Sequence, residues 1–142
     1  MQHDPSNLII AVSKACGHFP DIEKFSERLT LQRCCYILNS WGYEPSYRYS
    51  LYIRGPYSTE LADDYSEMHG EVTGHTNVLD GDLSRLKELY SKGPSYVEAY
   101  ATVLLLINNN PNVPSNKILD RALELKPHLE KEVTEAYASL LV

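Results

Sequence analysis

The chain has 142 residues, of which 43% are hydrophobic, and this composition excludes a disordered protein and is enough for one domain with its own core. The longest apolar run, residues 101–107, is too short to span a bilayer, and no secretion signal is present, so we expect a cytoplasmic protein without membrane contact. Three cysteines without a C-x-x-C pair fit a reducing compartment.

The net charge of −6 is concentrated in one segment. Residues 1–57 carry six Lys or Arg against five Asp or Glu, which gives +1, and residues 83–142 carry seven of each. Residues 58–82 carry seven acidic residues and no basic ones, which gives −7. This segment is either a solvated surface or an acidic patch for a basic partner.

The first half of the chain predicts helices around one strand. Apolar residues at helical spacing predict helices over residues 5–16 and 26–40. Residues 47–54 alternate and are rich in Tyr, which predicts a strand that ends at a Gly-Pro corner because Pro cannot donate to a ladder. Ser58 is placed to cap the next helix, over residues 58–69.

The second half predicts a further weak strand and more helices. Residues 71–79 are expected to pair with residues 47–53 as a small antiparallel element. Helices follow over residues 82–93, 95–108 and 115–125, and a last helix begins after Pro127. Residues 95–108 are apolar on all sides, so we expect this helix, with Leu104, to be central and buried.

These elements predict a mainly α protein with a small antiparallel β element, an α+β fold. We expect a single compact domain over residues 1–142, with about six helices. The helix and strand order of the first half also fits a winged-helix plan.

The candidate site lies where the second helix meets the Gly-Pro corner. Three polar residues occupy adjacent turns of that helix, and four residues form the corner: Gln32, Arg33 and Tyr36, then Gly55, Pro56, Tyr57 and Ser58. They are interpreted either as a hydrogen-bond network that fixes the corner or as a pocket or docking patch for a partner.

The same residues resemble a known pattern. Leu31-Gln32-Arg33 with Tyr36, the Tyr-rich strand, the corner and the acidic helix after it resemble the YwgA-like proteins and, more distantly, the SocA-like or Panacea domain of bacterial antitoxins. Arg33 stands where that pattern usually has Lys, which keeps the charge but not the shape. The segment from Leu125 to His128 is also similar. The resemblance implies a small prokaryotic protein that neutralises a toxin by binding it.

Acidic residues on the helix after the corner are the other candidates. Glu60, Asp63 and Glu67 share one helix face by spacing and are proposed to contact a partner, whereas Asp64 is expected to be structural. His69, Glu71 and His75 are interpreted as a polar turn and not as metal ligands, because their spacing suits no helix face. We expect no catalytic set, no metal and no cofactor.

Three classes of function remain. The first is a non-enzymatic, antitoxin-like regulatory module that binds a partner protein, with a toxin that has a basic surface as a candidate. The second is a winged-helix-like regulator that binds DNA, although residues 58–69 lack the Lys and Arg that phosphates require, so duplex DNA binding by the protein alone is not expected. The third is an enzyme of a class that the residues do not identify.

Overall fold

Seven α-helices and one β-hairpin form the part of the chain that the computed structural model describes, residues 3–68 and 70–141. The elements in chain order are α1 (Ser6–Cys16), α2 (Phe25–Ser40), β1 (Ser50–Tyr52), β2 (Gly55–Tyr57), α3 (Thr59–Ser66), α4 (Asp80–Ser91), α5 (Pro94–Asn109), α6 (Ser115–Leu125), a 3-10 turn (Pro127–Leu129) and α7 (Glu130–Leu141). The prediction of a mainly helical single domain with a small antiparallel sheet is confirmed.

Local sequence signals account for several helix ends. The Ser58 hydroxyl accepts a hydrogen bond from the Leu61 amide, as predicted for the cap of α3. Pro94 occupies the first turn of α5, where its missing N–H costs nothing. Gly17 has φ of 83° after α1, and its amide donates to the carbonyl of Ser13.

Helix α5 lies at the centre of the domain, as its all-round apolar sequence predicts. It packs against α2, α4, α6 and α7 and against strand β2. Leu105 and Leu106 are buried, but Leu104 is half-buried, so its predicted place in the interior is wrong. When every side of a helix is apolar, the sequence does not reveal which side chains lie between the packed neighbouring helices and so stay partly exposed.

The hairpin differs from the predicted β element. Strand β1 pairs with β2, directly across a two-residue turn at Ile53 and Arg54, and residues 71–79 form no strand. Pro56 lies opposite Leu51, next to the pair that closes the turn. In an antiparallel ladder this next pair exchanges no hydrogen bonds, so a Pro is tolerated there. The Gly-Pro corner therefore belongs to a strand and does not end the sheet.

The segment predicted as the second strand is instead a loop held by α1. The Asn7 side-chain oxygen accepts hydrogen bonds from the Thr76 hydroxyl at 2.7 Å and the Asn77 amide at 2.8 Å. The Asn7 amide group donates to the Asn77 side chain. These bonds satisfy the loop without a strand partner. In residues 3–68 and 70–141, no helix has the length and apolar character to cross a membrane.

Burial along α5 predicts different costs for two neighbouring leucines. Leu105 is 3% exposed, so Leu105→Ala should lower the free energy of unfolding by ~2–5 kcal/mol through lost burial and a cavity. Leu104→Ala should cost clearly less because the side chain is already partly in water. Urea denaturation of both variants measures the difference. Equal losses would contradict the placement of α5.

Candidate functional site

Gln32 fixes the Gly-Pro corner to helix α2. Its side-chain nitrogen donates to the carbonyl of Ser58 at 2.9 Å, and its oxygen accepts from the Ser58 amide at 2.8 Å. The same nitrogen lies 3.4 Å from the Tyr65 hydroxyl, and burial raises the pKa of Tyr65 to about 12. Gln32 is fully buried, and its amide group satisfies both main-chain hydrogen-bonding groups of Ser58, as a neighbouring strand would.

Arg33 and Lys126 donate hydrogen bonds to the main chain at the tip of the hairpin, the turn at Ile53 and Arg54. Arg33 donates to the carbonyl of Arg54 through Nε at 3.0 Å and Nη2 at 2.8 Å, and Lys126 Nζ donates to the carbonyl of Ile53. Both cations also bind Glu98 on α5: Arg33 Nη2 lies 2.9 Å from Oε1, and Lys126 Nζ lies 2.9 Å from Oε2. We call Arg33, Glu98 and Lys126 the Glu98 cluster.

The Glu98 cluster is buried and carries a net positive charge. The three residues are at most 8% exposed, and two cations against one carboxylate leave a formal +1. Burial lowers the pKa of Arg33, and the nearby Glu98 carboxylate opposes that shift. The carbonyl oxygens of the turn supply the remaining negative partial charge. Burying charges is unfavourable unless each is paired and hydrogen-bonded, and here each one is.

Gly55 and Pro56 allow the hairpin to lie against α5. Gly55 has φ of +105°, a conformation that L side chains rarely adopt. A Cβ at this position would lie 3.5 Å from the Thr102 hydroxyl, so the backbone is in direct contact with the helix. Pro56 is also buried.

Of the predicted site residues, Tyr36 lies apart from the corner network, whereas Tyr57 belongs to the corner and its side chain interacts with that of Tyr65. The Tyr36 hydroxyl accepts from Asn108 at 2.9 Å, and its ring meets the edge of Tyr49 with centroids 4.9 Å apart. Tyr57 is half-buried and its ring contacts Tyr52. The structure thus brings Gln32, Arg33 and the corner together but directs Tyr36 elsewhere.

The acidic candidates divide into buried and exposed residues. Asp64 is buried and accepts a hydrogen bond from the Tyr47 hydroxyl at 2.7 Å, and burial together with this bond raises the pKa of Tyr47. A Glu60 carboxylate oxygen accepts from the Arg48 amide at 3.3 Å. Asp63 and Glu67 are exposed on the surface. The exposed part of the acidic segment therefore continues from α3 into the loop that follows.

No group of three His, Cys, Asp or Glu residues that could hold a metal is found in residues 3–68 and 70–141. His69, one member of the predicted polar turn, lies outside the described residues. Cys34 and Cys35 are buried, and burial raises the pKa of Cys35 above its usual range, which disfavours the nucleophilic thiolate.

The sequence prediction missed Glu98 and Lys126. Glu98 is the single charged residue in the sequence of α5, so a lone carboxylate in an apolar helix was the available signal. Lys126 lies immediately before Pro127, in the segment that resembles the known pattern. Neither signal predicts which residues Glu98 and Lys126 contact, because these contacts join residues far apart in the chain.

The exposed apolar surface on the outer face of the hairpin was also not predicted from the sequence. Ile53 is 86% exposed, Tyr52 51% and Phe25, at the start of α2, 56%. Together with their neighbours they line a groove of about 390 Å³, which we call the hairpin groove: Phe25, Leu29, Tyr52, Ile53, Arg54, Gly55, Pro56, Tyr57 and Thr59. The groove is therefore apolar and open, and the hydrogen-bonded corner forms one side of it.

Comparisons with protein-family models, with curated proteins and with solved structures found no match for this chain. The geometry described above therefore carries the functional argument. The resemblance noted in the sequence stays an expectation.

The Glu98 cluster predicts a large effect of a small substitution. Glu98→Gln leaves Arg33 and Lys126 buried without a countercharge, and should lower the free energy of unfolding by ~3–5 kcal/mol. The matched control is Glu124→Gln, in an exposed pair with Arg121, which should change stability by less than ~1 kcal/mol. Thermal and urea unfolding compare the two. Similar losses at both sites would show that the cluster does not hold the hairpin.

Proposed function

We propose that the protein is a non-enzymatic module that binds a partner protein through the hairpin groove. One observation carries this proposal: three large apolar side chains with more than half of their surface exposed, Phe25, Tyr52 and Ile53, line the same groove. Scattered exposed apolar residues are ordinary, but a contiguous patch is typical of an interaction site.

The hydrogen bonds that hold the turn and the corner support the same proposal. The carbonyl groups of the turn accept hydrogen bonds from Arg33 and Lys126, and the adjacent corner is hydrogen-bonded to Gln32. A surface that is already ordered loses less entropy when a partner binds than a mobile loop does. The predicted motif residues Gln32, Arg33, Gly55, Pro56 and Ser58 thus support the binding surface from inside.

We propose that the acidic segment assists by steering a basic partner. Asp63, Glu67 and Glu71 are exposed, in a segment of charge −7 without a Lys or Arg. Such a surface accelerates encounter with a basic protein more than it strengthens the complex. The resemblance to antitoxin domains makes a toxin in the cytoplasm our proposal for this partner.

The other two functions have less support. Helix α3, which the winged-helix interpretation takes as the recognition helix, has no Lys or Arg among its eight residues, so we expect no useful affinity for duplex DNA. An enzyme would need a set of converging reactive groups, and the buried polar groups described above are engaged in supporting the hairpin.

Position-specific cross-linking tests the hairpin groove. A photo-reactive phenylalanine analogue at position 53 should give one dominant protein adduct in the cells that produce the protein. The same analogue at position 113, where Val113 is also exposed, is the control and should not give that adduct. Ile53→Asp should then weaken binding of the identified partner at least about tenfold, while Val113→Asp should not.

Two outcomes would contradict the proposal. One is the same set of adducts at positions 53 and 113, because the groove would then have no preferred partner. The other is turnover in a substrate screen that Ile53→Asp leaves unchanged, with no adduct specific to position 53.

Charge reversal tests the steering role of the acidic segment. Asp63→Lys with Glu71→Lys should slow association with the identified partner and flatten its salt dependence, because both carboxylates are exposed. Asp120→Lys with Glu135→Lys makes the same change in net charge on α6 and α7, and is the control. Stopped-flow association rates at low and moderate salt give the comparison. Equal slowing by both pairs would reduce the effect to net charge alone.

A further inference from the structure

We infer that the occupant of the hairpin groove is an acidic segment of the partner, with an apolar side chain that enters the groove and carboxylates beside it. This inference rests on the proposed function and adds the chemistry of the contact. It concerns a surface separate from the acidic segment of this chain, so the partner would present opposite charges to the two places.

Arg54 lines the groove, and half-buried Arg28 lies beside Phe25, where its guanidinium also donates to the Ile22 carbonyl at 2.7 Å. The guanidinium carbon of Arg28 lies 5.7 Å, and that of Arg54 5.9 Å, from the centre of the Phe25 ring. Phe25 is thus an exposed apolar side chain with the guanidinium groups of Arg28 and Arg54 close to its ring. Arginine binds carboxylates with two parallel hydrogen bonds, so an apolar anchor next to Asp or Glu fits this arrangement.

Arg54 is available for such a contact. Its side chain is exposed, and among the described residues no carboxylate lies within ion-pair distance of it. Its structural contribution is made by its main-chain carbonyl, which Arg33 holds. The guanidinium group is therefore free to bind a partner without loosening the turn.

Two of the acidic residues near the groove along the chain already have partners. Glu27 accepts a hydrogen bond from the Asp21 amide and pairs with His18 and Lys24. Glu60 accepts from the Arg48 amide. Of the residues that line the groove, Arg54 alone is charged.

The Glu98 cluster also favours an acidic occupant. It lies directly below the turn, and its formal charge is +1. A buried charge is screened less by salt than a surface charge. The cluster therefore makes a positive contribution to the potential at the turn, although the whole chain carries −6.

Peptide selection tests the inference on the full-length protein. A phage-displayed library of random dodecapeptides should yield sequences with a Leu, Ile or aromatic residue flanked by Asp or Glu. A synthetic peptide of the selected sequence should bind about tenfold more weakly to Arg54→Glu and to Ile53→Asp. Arg121→Glu, at an exposed site on α6, is the control and should bind it as the unchanged protein does.

Other outcomes overturn the inference. Selected peptides that are basic or uncharged, peptides whose binding ignores Arg54→Glu, or no selection at all would each exclude an acidic occupant. Self-association that Ile53→Asp abolishes would instead identify a second copy, whose exposed Leu79 precedes Asp80. The proposed function fails separately, through the absence of an adduct specific to position 53.

Discussion

The arrangement of the domain depends on one buried carboxylate. Glu98 projects from the central helix and binds two cations that come from α2 and from the segment between α6 and the 3-10 turn. Those cations hold the two carbonyls of the hairpin turn. A hairpin with three-residue strands is marginal by itself in water, so its position is determined by this tertiary contact and by the packing of Gly55 on α5.

The parts of the fold that depend on local sequence could be predicted, and the parts that depend on distant contacts could not. Helix periodicity and the Ser58 cap are local, and they appear as expected. The strand partner was missed because Pro56 was interpreted as an end of the sheet, whereas its register makes the missing N–H harmless. Glu98 was visible as a lone charge, but the sequence does not reveal that Arg33 and Lys126 would meet it. Likewise, the exposure of Ile53 follows only from the direction of the turn.

The motif residues predicted from the sequence and the proposed binding surface lie on opposite sides of the hairpin. Gln32 and Arg33 face the main chain of the corner from inside, and the apolar groove lies outside. The acidic segment likewise contrasts with the hairpin groove, where Arg54 and, on α2, Arg28 lie beside Phe25. Such a contrast favours partners with a matching charge pattern over partners that are uniformly basic or acidic.

The tip of the hairpin is held by its carbonyl oxygens and not by its side chains. Every amino acid supplies the same carbonyl, so the identities of residues 53 and 54 are not restricted by the contacts with Arg33 and Lys126. Substitutions at these two positions can therefore alter the shape and charge that a partner meets while the anchoring stays unchanged. Main-chain contacts determine the position of the tip, and the side chains of residues 53 and 54 determine the surface that a partner meets. Binding specificity can therefore diversify at this turn without a new fold.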